Sequence, residues 1–194
     1  MKNKIFVVMA VFNIVVCSVV YARGINQELS QSLLRMHIIA NSNSEYDQKI
    51  KLEVRDELVN ILSDEGYSTR EDVIRNLNTA QENINLFLNK KNIGYTCDVR
   101  YEKSKFPLKK YEDIMMPSGD YECVKVILGD GIGENWWCIA YPPMCFTKSV
   151  TGRVDDEINS LLKEETYNII ASDKNEYKIK FKIVDVINSI CNSL

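Results

Sequence analysis

The amino-terminal segment restricts what this chain can be more than any other feature. Two lysines precede an apolar run from Ile5 to Val20 that is interrupted by one Asn and one Ser. Nothing polar marks a solvent face, so a buried helix of a soluble core is the least favoured interpretation. The run ends in Val20-Tyr21-Ala22 before Arg23, a small-residue pattern that signal peptidase accepts. The segment therefore predicts a signal peptide over residues 1–22.

An uncleaved membrane anchor is the main alternative, because an apolar run of about 18 residues is just long enough to span a bilayer. Cleavage would leave residues 23–194 as one mature domain, since no repeat or Pro/Gly/Ser-rich linker divides the chain. Cleavage would also remove two lysines and no acid, which moves the formal charge from −3 to −5. A negative charge of this size argues against a nucleic-acid partner.

The hydrophobic periodicity predicts an α+β fold, with a mainly antiparallel sheet of about five strands and helices packed on it. Strands are expected where apolar and polar residues alternate, and helices where apolar residues recur every three or four positions. The predicted strands are LLRMHIIA (33–40), YTCDVRY (95–101), YECVKVIL (121–128), WWCIAY (136–141) and YKIKFKI (177–183). The predicted helices run from Asp47 to Leu62, from a capping box at Ser68-Thr69-Arg70-Glu71 to Leu88, over about 155–170, and around Val186–Ile190.

The glycine-rich stretch GDGIGEN, residues 129–135, resembles a phosphate-binding loop only superficially. Such a loop must present its backbone N–H groups at the amino terminus of a helix. Here the glycines lie between two predicted strands. A hairpin turn that needs positive φ angles is therefore the favoured interpretation.

Few residues offer a catalytic or metal site. His37 is the single histidine, and a Cys–His dyad would need a cysteine beside it, but no local nucleophile motif supports one. We therefore interpret His37 as a histidine on the polar face of a strand. Cys138 and Cys145 lack the C-x-x-C pairs typical of a zinc site, so no metal and no cofactor is predicted.

The stretch NWWCIAYPPMC contains both tryptophans of the chain. Alternation along a strand places Trp136 and Trp137 on opposite faces, so we expect one to be buried core and the other partly accessible. Paired prolines end the strand at Tyr141 and turn the chain. This turn would return Cys145 towards Cys138, a candidate disulfide outside the cytosol. The mature chain keeps five cysteines, so at least one stays free or pairs between chains.

Four stretches together resemble the stage II sporulation protein R family of endospore-forming bacteria. They span most of the mature chain, and the NWWC…PPMC block is highly specific. Small departures occur at Asn43, Ser118 and Cys123. The matching stretches are RMHIIANSNSEYDQKIKLEVRD (35–56), FPLKKY (106–111), PSGDYECVKVILGDGIGENWWCIAYPPMCF (117–146) and IKFKIVD (179–185).

The resemblance implies a signalling protein with no catalytic residue of its own. Family members are made in the forespore and exported into the space between the two sporulation membranes. There they trigger a membrane-embedded aspartic protease of the mother cell, which processes the precursor of sigma-E. On this reading the partner is that protease, membrane contact through the signal segment is transient, and no nucleic acid or small-molecule substrate is expected.

The resemblance leaves the receptor-binding face open. Because a ligand binds through a few aromatic or Arg anchors, we expect that face to include Trp136, Trp137, Tyr141, Asp130 and Asn135. Two alternatives remain. One is an exported envelope hydrolase that uses His37 with a cysteine or a carboxylate, and the other is a membrane-anchored scaffold.

Overall fold

In the computed structural model of this chain, residues 2–62, 67–111, 114–142 and 158–171 are described. The helices are α1 (Lys2–Ser32), α2 (Glu45–Leu62), α3 (Arg70–Arg75), α4 (Leu77–Lys90) and α5 (Glu164–Ile170), and residues 158–161 are also helical. The strands are β1 (Leu34–Ile39), β2 (Cys97–Phe106), β3 (Lys109–Tyr111), β4 (Ile114–Met116), β5 (Gly119–Leu128) and β6 (Asn135–Tyr141). The α+β class is therefore confirmed.

The main sheet is mixed and not purely antiparallel. Its four strands lie in the order β2-β5-β1-β6, and β3 pairs with β4 in a separate two-stranded sheet. Strand β1 runs parallel to β5 and antiparallel to β6. The physical reason is visible in β1 itself, where five of the six residues are buried. A strand buried on both faces belongs inside a sheet, so β1 lies between β5 and β6 and GDGIGEN does not close a hairpin.

Helices α2 and α4 cover one face of the main sheet. Their apolar positions recur with helical spacing, and these side chains pack with those of alternate positions on β1, β5 and β6 in one hydrophobic core. The predicted apolar faces are confirmed as buried. They consist of Ile50, Val54, Leu58 and Leu62 on α2, Val73 on α3, and Leu77, Ala80, Ile84 and Leu88 on α4. Ile61, which was also predicted on the α2 face, is only partly buried.

The predicted capping box is present one residue further along. Thr69 caps α3, and the Asp72 side chain accepts a hydrogen bond from the Thr69 backbone N–H. The helix then breaks at Asn76, so the single helix predicted up to Leu88 is two helices. The predicted helix over about 155–170 is likewise interrupted, at residues 162–163. The strand predicted at 177–183 and the helix around Val186–Ile190 lie outside the described residues.

The chain divides into two compact units that interleave in sequence. One comprises Met1–Leu29, Phe106–Gly119 and Leu162–Leu194, and the other comprises Ser30–Lys105 and Asp120–Leu161. The main sheet, α2, α3 and α4 belong to the second unit, apart from the terminal residues of β2 and β5. The predicted cleavage after Ala22 and the single mature domain stay predictions.

Helix α1 dominates the first unit. Within the described residues it is the one helix long and apolar enough to cross a membrane. This apolar helix near the amino terminus fits a signal sequence and is consistent with secretion. Towards its other end, Glu28 Oε1 accepts a hydrogen bond from the Lys163 N–H at 2.7 Å, and Glu28 Oε2 accepts one from Thr166 Oγ1 at 2.9 Å. The last turns of α1 therefore hold the start of α5.

Candidate interaction site

Two loops meet at one edge of the main sheet. Because β1 and β5 are parallel, their carboxyl ends lie at the same edge, and the antiparallel β6 begins there. The loop after β1 (residues 40–44) and the turn after β5 (residues 129–134) are thereby brought together. We call these two segments, with the first turn of α2, the motif junction.

The backbone of the turn is held at every residue. Its six consecutive N–H groups, from Gly129 to Glu134, each donate a hydrogen bond. The acceptors are Thr96 O (3.0 Å), Asn41 Oδ1 (2.9 Å), Leu128 O (3.1 Å), Asn41 O (3.3 Å), Ala40 O (2.9 Å) and Asn43 Oδ1 (2.8 Å), in chain order. Four of these six acceptors come from the loop after β1, so each loop fixes the other.

Glycine is required in this turn for two different reasons. Gly129 and Gly131 have φ angles of 55° and 62°, in the left-handed region that side chains disfavour. This confirms the positive φ angles predicted for GDGIGEN. Gly133 is different, because a Cβ there would collide with the backbone carbonyl of Ser42. The close approach of the two loops therefore depends on the missing side chain.

Asp47 in the first turn of α2 organises the other loop. Its Oδ2 accepts hydrogen bonds from Asn41 Nδ2 at 2.9 Å and Ser42 Oγ at 2.6 Å, and its Oδ1 accepts one from the Tyr95 hydroxyl at 2.9 Å. Its N–H donates to Ser44 Oγ at 3.1 Å, which caps the helix. The Ser42 hydrogen bond, helped by those from Asn41 and Tyr95, lowers the pKa of Asp47 against the opposing effect of burial. The carboxylate is thus kept ionised and structural.

A buried lysine joins α2 to the turn. The Lys51 ammonium donates to Gln48 Oε1 at 2.6 Å and to the Glu134 carbonyl at 2.9 Å. Burial lowers the pKa of Lys51, and the nearby Glu134 carboxylate opposes that change. Sequence reasoning missed Asn41, Asp47, Lys51 and Tyr95. For Asn41 the signal was the run NSNSE (41–45), because Asn and Ser before a helix commonly bond to the nearby backbone and cap the helix. Asp47 lies just after that run, in the first turn of α2.

The two tryptophans lie on opposite faces of the sheet, as alternation requires. Trp136 pairs with Ile38 and packs on the hydrophobic core beneath α2, with the Arg55 guanidinium carbon 5.6 Å from its ring centroid. Trp137 pairs with His37 on the other face. Both indoles are half-buried, so the prediction of one buried and one partly accessible ring is wrong, and their exposure does not separate them. Their surroundings do, because Trp136 contacts the core and Trp137 stacks on a polar ring.

His37 is built into the fold of that second face. Its ring is parallel to that of Trp137, and its Nδ1 lies 2.9 Å from Asn135 Oδ1. Burial lowers the pKa of His37, with the Asn135 hydrogen bond acting in the opposite direction. A salt bridge of 3.0 Å joins Lys125 to Glu102 on the same face.

Cys97 on β2 and Cys123 on β5 are poor nucleophiles. Burial raises the pKa of Cys97 to about 12 and that of Cys123 to about 11, so both stay protonated thiols at neutral pH. These raised pKa values do not favour the use of Cys97 or Cys123 by the hydrolase alternative. Within the part of the chain that the structure describes, no group of three or more His, Cys, Asp or Glu side chains could hold a metal ion.

The five residues predicted to bind a receptor do not form one surface. Asp130 and Asn135 are exposed at the motif junction, whereas Tyr141 ends β6 at the opposite edge of the sheet. Trp136 and Trp137 are divided between the two faces. Cys138 is buried and disulfide-bonded. Cys145 lies outside the described residues, so its pairing with Cys138 stays a prediction, as does receptor binding by the five residues.

Fold and site together define the class of protein. It is an α+β domain in which the polar residues of the motif junction hold two loops together. The stage II sporulation protein R family model matches residues 30–151, which contain the whole motif junction. The chain belongs to that family. Stage II sporulation protein R of Bacillus subtilis (strain 168) is 29% identical to it over 147 residues. The alignment covers 71% of this chain and 65% of that relative. No solved structure matches the chain.

Proposed function

We propose that this chain is an exported sporulation signal that triggers a membrane-embedded aspartic protease of the mother cell. The protease then processes the precursor of sigma-E. On this proposal the chain is made in the forespore, crosses into the space between the two membranes, and acts there as a ligand without catalysis. Family membership and the apolar amino-terminal helix support the proposal.

The ligand role is supported by the hydrogen bonds that the polar residues of the motif junction make. In an enzyme, such groups converge on a cleft with perturbed pKa values that suit proton transfer. Here Asn41, Asn43 and Lys51 bond to the turn 129–134, and Asp47 holds the loop after β1. The thiols of Cys97 and Cys123 are held in the protonated form. These groups shape a surface, which is what a ligand needs.

Reconstitution in a non-sporulating host tests this function. The chain, the membrane-embedded protease and the sigma-factor precursor are co-expressed, and processing of the precursor is followed by immunoblot. We expect processing only when all three are present and when the chain keeps residues 1–22, which direct its export. A chain lacking residues 1–22 is the control for position, since it stays on the wrong side of the membrane.

Two outcomes would contradict all or part of the proposal. Equal processing with and without the exported chain would show that the protease needs no such ligand. Processing that requires the chain but persists without residues 1–22 would remove the export step alone.

A further inference from the structure

The most exposed large apolar side chain outside α1, among the described residues, is that of Ile132. It is 73% exposed at the tip of the turn 129–134. Tyr46, in the first turn of α2, is 59% exposed within the same motif junction. A single exposed apolar residue is common on a protein surface. Ile132 differs in how its backbone is held.

The backbone of Ile132 is held by hydrogen bonds, although its side chain is exposed. Its N–H donates to the Asn41 carbonyl, and the N–H groups of its two neighbours, Gly131 and Gly133, donate to the carbonyls of Leu128 and Ala40. The two positive-φ glycines on its amino-terminal side set the path of the turn. The backbone of such a turn loses little further freedom on binding, and preorganisation of this kind raises affinity.

The charges around Ile132 indicate what it contacts. Glu45, Asp130 and Glu134 are exposed in the same junction, and Lys49 is the exposed cation on the adjoining turn of α2. Lys51 is buried, and its ammonium is engaged by Gln48 and the Glu134 carbonyl. The exposed groups are therefore net acidic around an apolar tip. Charge complementarity requires basic side chains on the partner.

We propose that Ile132 is the anchor by which this chain inserts into an apolar pocket, rimmed by basic side chains, on its protein partner. The proposal rests on the proposed function for the identity of that partner, the extracytoplasmic part of the protease. Tyr46 borders the same contact, and the Glu45 and Asp130 carboxylates face the basic rim.

A matched pair of substitutions tests the anchor. Ile132→Ser removes the apolar tip, and Leu86→Ser makes the same change on α4, where Leu86 is 56% exposed. Affinity for the detergent-purified protease and processing of the precursor are both measured on the full chain, with thermal melting as the check of folding. We expect Ile132→Ser to bind about 30-fold more weakly, the usual effect of losing an interface hot spot, and Leu86→Ser to bind as the unmodified chain does.

The acidic rim has its own measurement. The double variant Glu45→Gln with Asp130→Asn should bind more weakly at low salt and show a flatter dependence of affinity on salt concentration. An unchanged salt dependence would overturn the basic rim.

The two readouts separate the anchor from the proposed function. Binding and processing by Ile132→Ser at the level of the unmodified chain overturn the anchor and leave the function intact. Binding that depends on Ile132 without any processing overturns the function and supports the anchor. If the unmodified chain does not bind the protease at all, both are overturned.

Discussion

The rings of His37 and Trp137 lie 4.9 Å apart between centroids and only 3° from parallel. The two residues are directly opposite on β1 and β6, so the stack ties the central strand to its neighbour. It also places a titratable ring where protonation is costly, because burial and the nearby Lys125 ammonium both lower the pKa of His37.

This gives a stability that depends on pH. The unfolded chain takes up a proton at His37 near the ordinary pKa of 6.5, whereas the folded chain resists protonation until a lower pH. The unfolded state therefore binds more protons below that value, and the contribution is present above it and lost as the pH falls. We expect the melting temperature of the unmodified chain to fall more than that of His37→Phe between about pH 7.5 and 5. Parallel curves would contradict the assignment.

Asp47→Asn should destabilise the motif junction. The substitution removes the charge that receives Asn41, Ser42 and Tyr95, and hydrogen bonds to a charged group contribute about 1.5–3 kcal/mol each to stability. Because the pKa of Asp47 is lowered, this stability is present above its ordinary value of 3.8 and is lost as the pH falls through the depressed one. Chemical denaturation at several pH values measures both effects. Asp56→Asn, on the exposed face of the same helix, is the control and should cost under about 0.5 kcal/mol.

Gly133→Ala should separate the two loops. Its new Cβ meets the Ser42 carbonyl and the Ala40 side chain, and backbone cannot move aside cheaply. We expect a loss of about 1–3 kcal/mol in the free energy of unfolding. Gly94→Ala is the matched control, because nothing lies within 4 Å of its Cβ and its φ is not positive. That change should be neutral or slightly stabilising. Equal melting temperatures for the two variants would show that the close approach carries no energy.

The two tryptophans should respond differently to removal. Trp136→Ala takes an indole off the core beneath α2 and leaves the Arg55 guanidinium without its ring, so we expect a loss of about 3 kcal/mol. Trp137→Ala removes the stack on His37, which contributes about 0.5–1.5 kcal/mol beyond burial. Thermal melting distinguishes them. We further expect Trp137→Ala to remain folded and lose precursor processing. If it keeps processing, Trp137 leaves the set of predicted receptor-binding residues.

Truncation tests where the folded protein begins. A chain starting at Arg23 keeps Glu28 and its hydrogen bonds to Lys163 and Thr166, whereas one starting at Ser30 loses them. We expect the first to retain protection of the Lys163 amide in hydrogen exchange and the second to lose it. Loss of protection in both would mean that α1 ahead of Arg23 is needed to hold Glu28. N-terminal sequencing of exported protein shows separately whether cleavage follows Ala22.

Sequence periodicity located most elements because their apolar residues are arranged for a single buried face. Strand β1 and the core positions of α2 and α4 were found in this way. The strand order was not, since alternation says which residues face the core but not which strand lies beside which. The short strands β3 and β4 were missed because three residues are too few to show a period. Asn76 ended α3 without any Gly or Pro to announce it.

The candidate site was predicted only where chemistry is local. The positive φ of Gly129 and Gly131 follows from the glycines themselves. The need for Gly133, by contrast, arises from Ser42, a residue far away in the chain, and so it could not be read from the turn. The same holds for Asp47 and Tyr95, whose hydrogen bond exists only once α2 and the segment before β2 have packed.

The place of β1 inside the main sheet also decides when that sheet can be completed. Arg35 on β1 pairs with Cys123 on β5, and Leu34 pairs with Tyr141 on β6. Strand β1 therefore cannot pair with either neighbour until most of the chain has been synthesised. Contacts of such long separation form late in folding. A chain that ends before β6 lacks the strand that pairs with one side of β1. The main sheet is therefore completed only after β6 has been synthesised.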